Sequence, residues 1–113
     1  MSSVASLRLS AEPLRSLAFG SIGAAYMGIG TAISNPARAI FLQNLTDATL
    51  LFSFDGVTEH LILPSNGFFL FDITSNKTSE IGFFADKGQR FYVKQSGVAT
   101  SGAVYLSTFY GLV

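Results

Sequence analysis

Between Arg38 and Thr74 the chain reads RAIFLQNLTDATLLFSFDGVTEHLILPSNGFFLFDIT, in which short apolar and aromatic runs are cut by Thr46-Asp47, Asp55-Gly56 and Ser65-Asn66-Gly67. Turn residues at those points leave no room for a helix of ordinary length, so the pattern predicts strands joined by tight turns. Within one run Leu50, Phe52 and Phe54 alternate with Thr49, Leu51 and Ser53, the period of two that a half-buried strand requires. Asp55-Gly56 is expected to supply the positive-φ residues of a tight turn. In Phe68 to Thr74 both alternating sets are largely apolar, with Phe69, Phe71 and Ile73 on one side and Phe68, Leu70 and Asp72 on the other. Such a strand belongs at the centre of a sheet, or has one face against a neighbouring chain.

The same reading extends along the chain. Strands are predicted over Leu14 to Ile22, Ala24 to Thr31, Arg38 to Leu45, Thr49 to Asp55, His60 to Leu63 and Phe68 to Thr74. Further strands follow over Glu80 to Ala85, Gln89 to Gln95 and Ala103 to Tyr110, with Phe91 and Val93 facing in and Arg90, Tyr92 and Lys94 facing out. Ser75-Asn76-Lys77 and Ser96 to Gly102 read as loops. Residues 1–11 are light and weakly alternating, and are expected to form an extended N-terminal arm that lies on a neighbour when ordered. Residues 12–113 then make one all-β domain, an antiparallel β-sandwich or jelly roll of about eight short strands.

Composition adds a constraint on the surface. Of 113 residues only seven are basic and seven acidic, so charged residues are 12% of the chain against about 25% in an average soluble domain. Hydrophobic residues make up 49%, including 11 Phe and 4 Tyr. Interfaces lose Lys, Glu and Asp and gain aromatics, so much of this exterior is expected to be covered by copies of the chain and by other protein. The balance of charge, with no run of Lys or Arg, argues against a nucleic-acid partner, whose phosphates need clustered cations. Cysteine is absent, which removes disulfides, thiolate metal sites and thiol nucleophiles together.

Ser16 to Ala37 is a 22-residue stretch without a charge, long enough to cross a bilayer as a helix. Gly20, Gly23, Gly28 and Gly30, several hydroxyl residues and the terminal Asn35-Pro36 argue instead for strands with glycine bends. A secretory signal would need a basic start directly before the apolar run, and Met1 to Ser6 has none. The expectation is a soluble chain without a membrane partner.

Candidate chemistry is sparse. The single histidine, His60, lies beside Asp55 and Glu59. A metal site there needs three convergent ligands, whereas hairpin ends gather such residues because they are wet. There is no G-x-S-x-G elbow, P-loop or dinucleotide fingerprint, and one histidine leaves little for a triad. No catalytic residue, cofactor, metal or small-molecule substrate is expected. Asn44-Leu-Thr46 and Asn76-Lys-Thr78 match glycosylation sequons, which matter only in a secretory pathway. Tyr26, Tyr92 and Tyr105 keep a carbohydrate-binding sandwich open as an alternative.

The phrases Asn35-Pro-Ala-Arg38, Gln43-Asn-Leu-Thr-Asp-Ala48, Phe52-Ser-Phe-Asp-Gly56, Leu63-Pro-Ser-Asn-Gly67, Asp72-Ile-Thr-Ser-Asn76, Tyr92-Val-Lys94 and Ser101-Gly102 leading to Phe109-Tyr-Gly111 follow in that order. This order resembles small structural proteins of tailed bacteriophage particles. The resemblance implies a non-enzymatic β-sandwich component of the virion, assembled in the host cytoplasm and present in many copies. It implies either a cement or decoration protein that binds the major capsid protein, or a head-to-tail ring protein that meets the portal or connector. On either reading the chain is a homo-oligomer that pairs through apolar strand faces. Tyr26, Met27, Phe68, Leu70, Tyr92 and Tyr105 are the contact candidates.

Overall fold

The computed structural model describes residues 8–72 and 87–112. The strand expected over Glu80 to Ala85 and the loop at Ser75 to Lys77 lie outside them. Nine strands are described: β1 (Arg8–Ala11), β2 (Arg15–Ala18), β3 (Met27–Gly28), β4 (Ala39–Thr46), β5 (Leu50–Ser53), β6 (Leu61–Leu63), β7 (Phe68–Asp72), β8 (Tyr92–Gln95) and β9 (Gly102–Leu112). They form two antiparallel sheets, one ordered β1-β9-β4-β7 with β2 also paired to β9, the other β3-β8-β5-β6.

β1 and β2 are one strand with a bulge in it. The register pairs Ala11 with Phe109 and then Arg15 with Leu106, so Glu12, Pro13 and Leu14 stand opposite only Thr108 and Ser107. Pro13 has no N–H to give to the ladder, and an extra residue at that point lets pairing resume on its far side. The backbone N–H of Glu12 still reaches the Thr108 carbonyl at 3.0 Å. Counted as one strand, β1/β2 makes eight described strand positions in two four-membered sheets, and successive described strands change sheet at every step except the β5-β6 hairpin. That winding is a jelly roll, the narrower of the two architectures expected.

The expected arm therefore ends early: Arg8 to Ala11 pair with the chain's own β9, and residues 1–7 lie outside the described part. The long strands expected over Leu14 to Ile22 and Ala24 to Thr31 shrink to Arg15–Ala18 and Met27–Gly28. A 3-10 turn at Phe19–Ser21 replaces the rest of the first. Past Gly28, Ile29 N–H reaches the Phe91 carbonyl at 2.7 Å, and beyond the expected strand Ile33 exchanges two bonds with the 88–89 backbone, its N–H to the Gln89 carbonyl and the Gly88 N–H to its own carbonyl, each at 2.9 Å. Asp55-Gly56 opens a longer connection than a two-residue turn: only Gly56 has a positive φ there, and the Asp55 carboxylate accepts the Val57 and Thr58 N–H groups, each at 2.8 Å.

The core lies between the sheets. Ile40 and Leu42 of β4 and Val104 and Leu106 of β9 pack against Leu50 and Phe52 of β5 and Val93 of β8, with Phe91 just before β8, all nearly inaccessible. Ile29, Ile33 and Ala37 from the connecting segments fill the remaining space. Burying each large side chain of this kind contributes about 1.5–3 kcal/mol. Phe91 and Val93 thus face inward as the alternation required.

Two polar devices hold the crossovers. Asn44 is fully buried in β4; its Nδ2 donates to the carbonyls of Ala48, Leu63 and Pro64 at 2.9, 3.0 and 3.1 Å. Its Oδ1 accepts the Thr46 hydroxyl at 2.6 Å and the Thr46 N–H at 3.0 Å. One side chain therefore joins the β4-β5 and β6-β7 crossovers, and as a sequon asparagine it is sealed from solvent. At the start of β9, Gly102 has φ +91° and any Cβ there would collide with the Leu45 carbonyl oxygen, so only glycine lets β9 approach β4 so closely.

Candidate functional site

The five-stranded sheet has one face in the core and one turned outward. Register sets Ala18, Ala103 and Leu45 in one outward row, Ser16, Tyr105, Gln43 and Phe68 in the next, and Ser107, Phe41 and Leu70 in a third. None of these is Asp, Glu, Lys, Arg or His. A fourth row, Ala11, Phe109, Ala39 and Asp72, places the first acidic residue at the far end of β7. Phe68 is 62% and Leu70 59% exposed, and Leu45 44%. The Phe41 and Phe68 rings meet edge to face at 5.6 Å, which fixes a ridge of aromatic and aliphatic carbon along the β4-β7 side.

β7 is the last strand on the described path of its sheet, not a central one. Phe69 and Phe71 turn to the core while Phe68 and Leu70 stand out from it. The doubly apolar pattern of this strand therefore reflects an inner face on the core and an outer face left open.

The opposite sheet presents a different exterior. Leu51 is flanked there by Ile62 and Lys94, and Lys94 Nζ meets the Glu59 carboxylate at 2.6 Å and lies 4.7 Å from the centre of the Tyr26 ring. Hydrogen bonding from Lys94 holds the Glu59 carboxyl below its ordinary pKa, and the same bond raises that of Lys94. Burial raises the Tyr26 phenol, whose hydroxyl has no hydrogen-bond partner among the described residues. Arg90 reaches over the Tyr92 ring at 5.9 Å.

The six contact candidates consequently divide. Phe68, Leu70 and Tyr105 share the uncharged face, while Tyr26, Met27 and Tyr92 belong to the β3-β8 side of the other sheet. Phe41, Leu45 and Phe109 join the first group without having been singled out from the sequence. The alternation within Arg38 to Leu45 already separates Phe41 and Leu45 from Ile40 and Leu42, but which set faces out depends on the sheet's partner.

Asp55, Glu59 and His60 do not converge. Asp55 caps its own loop and accepts the Ser53 hydroxyl at 2.8 Å; backbone N–H groups of Thr58 and Val57 hold its carboxyl far below the ordinary range. His60 Nδ1 accepts the Phe54 N–H at 3.0 Å while its ring stacks on Phe54 at 5.2 Å. Among the described residues no group of three His, Cys, Asp or Glu is placed to hold a metal, and no helix is long and apolar enough to cross a membrane.

One open groove of about 540 Å³ runs beside the bulge, between Glu12, Pro13, Leu14 and Arg15 and the segment from Gly30 to Asn35. Its polar groups bind one another. Arg15 donates to Thr31 O at 2.8 Å, Ala32 O at 3.1 Å, Thr108 Oγ1 at 3.3 Å and Glu12 Oε1 at 2.8 Å. Glu12 Oε2 accepts Ser34 N–H at 3.0 Å and the backbone and side-chain N–H groups of Asn35, each at 2.9 Å. Burial pushes the Glu12 carboxyl up, but hydrogen bonds from Asn35, Arg15 and Ser34 outweigh it and leave the pKa below its ordinary value. The groove is a fastening between β1/β2 and the 30–35 segment, with its charges already paired.

Fold and surface together define an all-β jelly-roll sandwich with one uncharged sheet face. No protein-family model, characterised protein or solved structure matches the chain.

Proposed function

We propose that this chain is a non-catalytic structural component of a tailed bacteriophage particle, a cement or decoration protein that binds the major capsid protein and acts by burying apolar strand surface. The observation that carries the assembly role is the uncharged outer face of the five-stranded sheet, with Phe68 and Leu70 largely exposed. Contiguous apolar patches of this kind mark interaction surfaces. Placement in a virion, whether on the shell or at the head-to-tail junction, rests on the ordered phrases between Asn35 and Gly111. Jelly rolls serve both capsid proteins and lectins, so the fold does not choose between them. The surface favours assembly, because Tyr26, Tyr92 and Tyr105 are all half-buried and lie on two different sheets.

The test is incorporation. Particles assembled with the tagged chain should retain it through density-gradient purification, and imaging should place it in repeated copies. A double substitution of Phe68 and Leu70 by Lys should keep the fold and lose incorporation. A folded wild-type chain that never co-purifies with particles would defeat the reading.

A further inference from the structure

Resting on that assembly reading, we infer that the uncharged face of the five-stranded sheet is the seat of a second copy of this chain, packed face to face about a two-fold axis parallel to the strands. Three features of the face select this occupant.

Charge is the first. Over three consecutive rows the face offers no ionic group, so a partner surface bearing Lys, Arg, Asp or Glu would bury them unpaired. The same face on another copy avoids that cost and is present at equal concentration. The outer face of the four-stranded sheet, with Lys94, Glu59 and Arg90, does not meet the condition.

Relief is the second. Bulk on the β7 side, in Phe68, Leu70 and the adjoining Phe41, is matched on the β1/β2 side by Leu14, 59% exposed beside Ser107, while Ser16 and Ala18 beside Ala103 leave a trough in the neighbouring rows. A two-fold axis lying in the interface along the strands, between β9 and β4, exchanges the two sides. Phe68 of one copy then lies over the trough at Ser16 of the other, and Leu70 meets Leu14. An in-plane axis across the strands would set ridge on ridge. The ridge-in-trough pairing is isologous and keeps strand directions nearly aligned, as packed sheets prefer.

Area is the third. Four strand positions about 4.8 Å apart and the three uncharged rows about 6.7 Å apart give a footprint of about 390 Å². Protruding rings and leucines raise the accessible area toward the roughly 600–800 Å² per partner of a specific pair.

Sedimentation of the purified chain across a concentration series should show a monomer-dimer equilibrium. Leu70→Lys should raise the dimer Kd by at least about 30-fold, the scale of an interface hot spot, while Ile62→Lys on the opposite sheet leaves it unchanged. Circular dichroism and thermal melting confirm that each variant is folded. Because the chain lacks cysteine, single thiols report geometry cleanly. At a concentration where the mixture sediments as dimer, Ser16→Cys mixed with Phe68→Cys should be joined by a bis-maleimide of about 10 Å reach, the spacing of packed sheets. Phe68→Cys alone should not be joined to itself. A monomer at every concentration, a dimer indifferent to Leu70→Lys, or efficient linking of Phe68→Cys to itself would overturn the inference. A monomer that still enters particles would defeat this pairing and leave the assembly reading standing; a dimer that never enters them would do the reverse.

Discussion

Glu12 and Arg15 meet at 2.8 Å across the bulge that separates β1 from β2, with side chains only 5% and 8% exposed. The bulge adds one residue to this edge of the sheet, and on either side of it the pair turns toward the 30–35 segment. Every partner of the Glu12 carboxylate is a donor: Arg15, the Ser34 and Asn35 backbones, and the Asn35 amide. Glu12→Gln would aim an NH₂ group at one of these donors and leave the Arg15 charge without its counter-ion. The expected loss is about 3 kcal/mol, the low end for breaking a buried pair, measured by urea unfolding. A loss below about 0.5 kcal/mol, the level of an ordinary surface change, would show that the fastening contributes nothing.

Acid should weaken the fold for the same reason. Glu12, Asp47, Asp55 and Glu59 all have carboxyl pKa values lowered in the folded chain, so the unfolded chain takes up protons first as pH falls. Their contribution is complete above the ordinary values, 3.8 for Asp and 4.5 for Glu, and is lost as pH drops through the lowered ones. Melting temperature should therefore hold from neutral pH to about 5 and decline below it. Glu12→Gln should flatten that decline. At the alkaline end Tyr26 and Lys94 are raised from 10.0 and 10.5, so their contribution is present below those values and fades as pH climbs through the raised ones.

Asn44 should be among the least replaceable polar residues. Asn44→Leu fills similar space but removes the donor to the Leu63 carbonyl and the acceptor of the Thr46 N–H and hydroxyl, while the Ala48 and Pro64 carbonyls keep only the Thr46 hydroxyl and the Gly67 N–H. Several buried groups left unsatisfied cost roughly 3 kcal/mol or more. Hydrogen exchange should accelerate first at the β4-β5 and β6-β7 crossovers, whereas exchange that speeds up uniformly would show that Asn44 does not act locally.

How legible these devices were follows from their range. Period-two alternation located β4 to within one residue and β5 and β9 to within two, and placed β8 with its start three residues early, because each has one face in the core and local pattern reports burial directly. Glycine-rich 16–37 misled, since its apolar residues serve as plugs: Ile29 and Ile33 are buried from loop backbone, and a plug has no period. Asn44 and Arg15 were invisible for another reason. Their partners lie up to 93 residues away, and a polar residue's burial is decided by who arrives from elsewhere in the chain. The uncharged face was half visible: Phe68 and Leu70 stood out as one apolar set too many, but their grouping with Tyr105 required the β7-β4-β9 register.

The two phenylalanines Phe52 and Phe71 provide the sharpest comparison of inside with outside. Phe52 is 1% exposed at the centre of β5, between β6 and β8, and its truncation to Ala opens a cavity that rigid strands on both sides cannot close. About 3–5 kcal/mol should be lost. Phe71 faces the core from the last described strand of its sheet and is only partly buried, stacked near Phe69 at 6.2 Å. Its ring already touches solvent, so Phe71→Ala removes less buried area and leaves a site that water can enter, and about 1–2 kcal/mol is expected. Equal losses in the two variants would mean that Phe71 is covered in solution by something beyond the strands described.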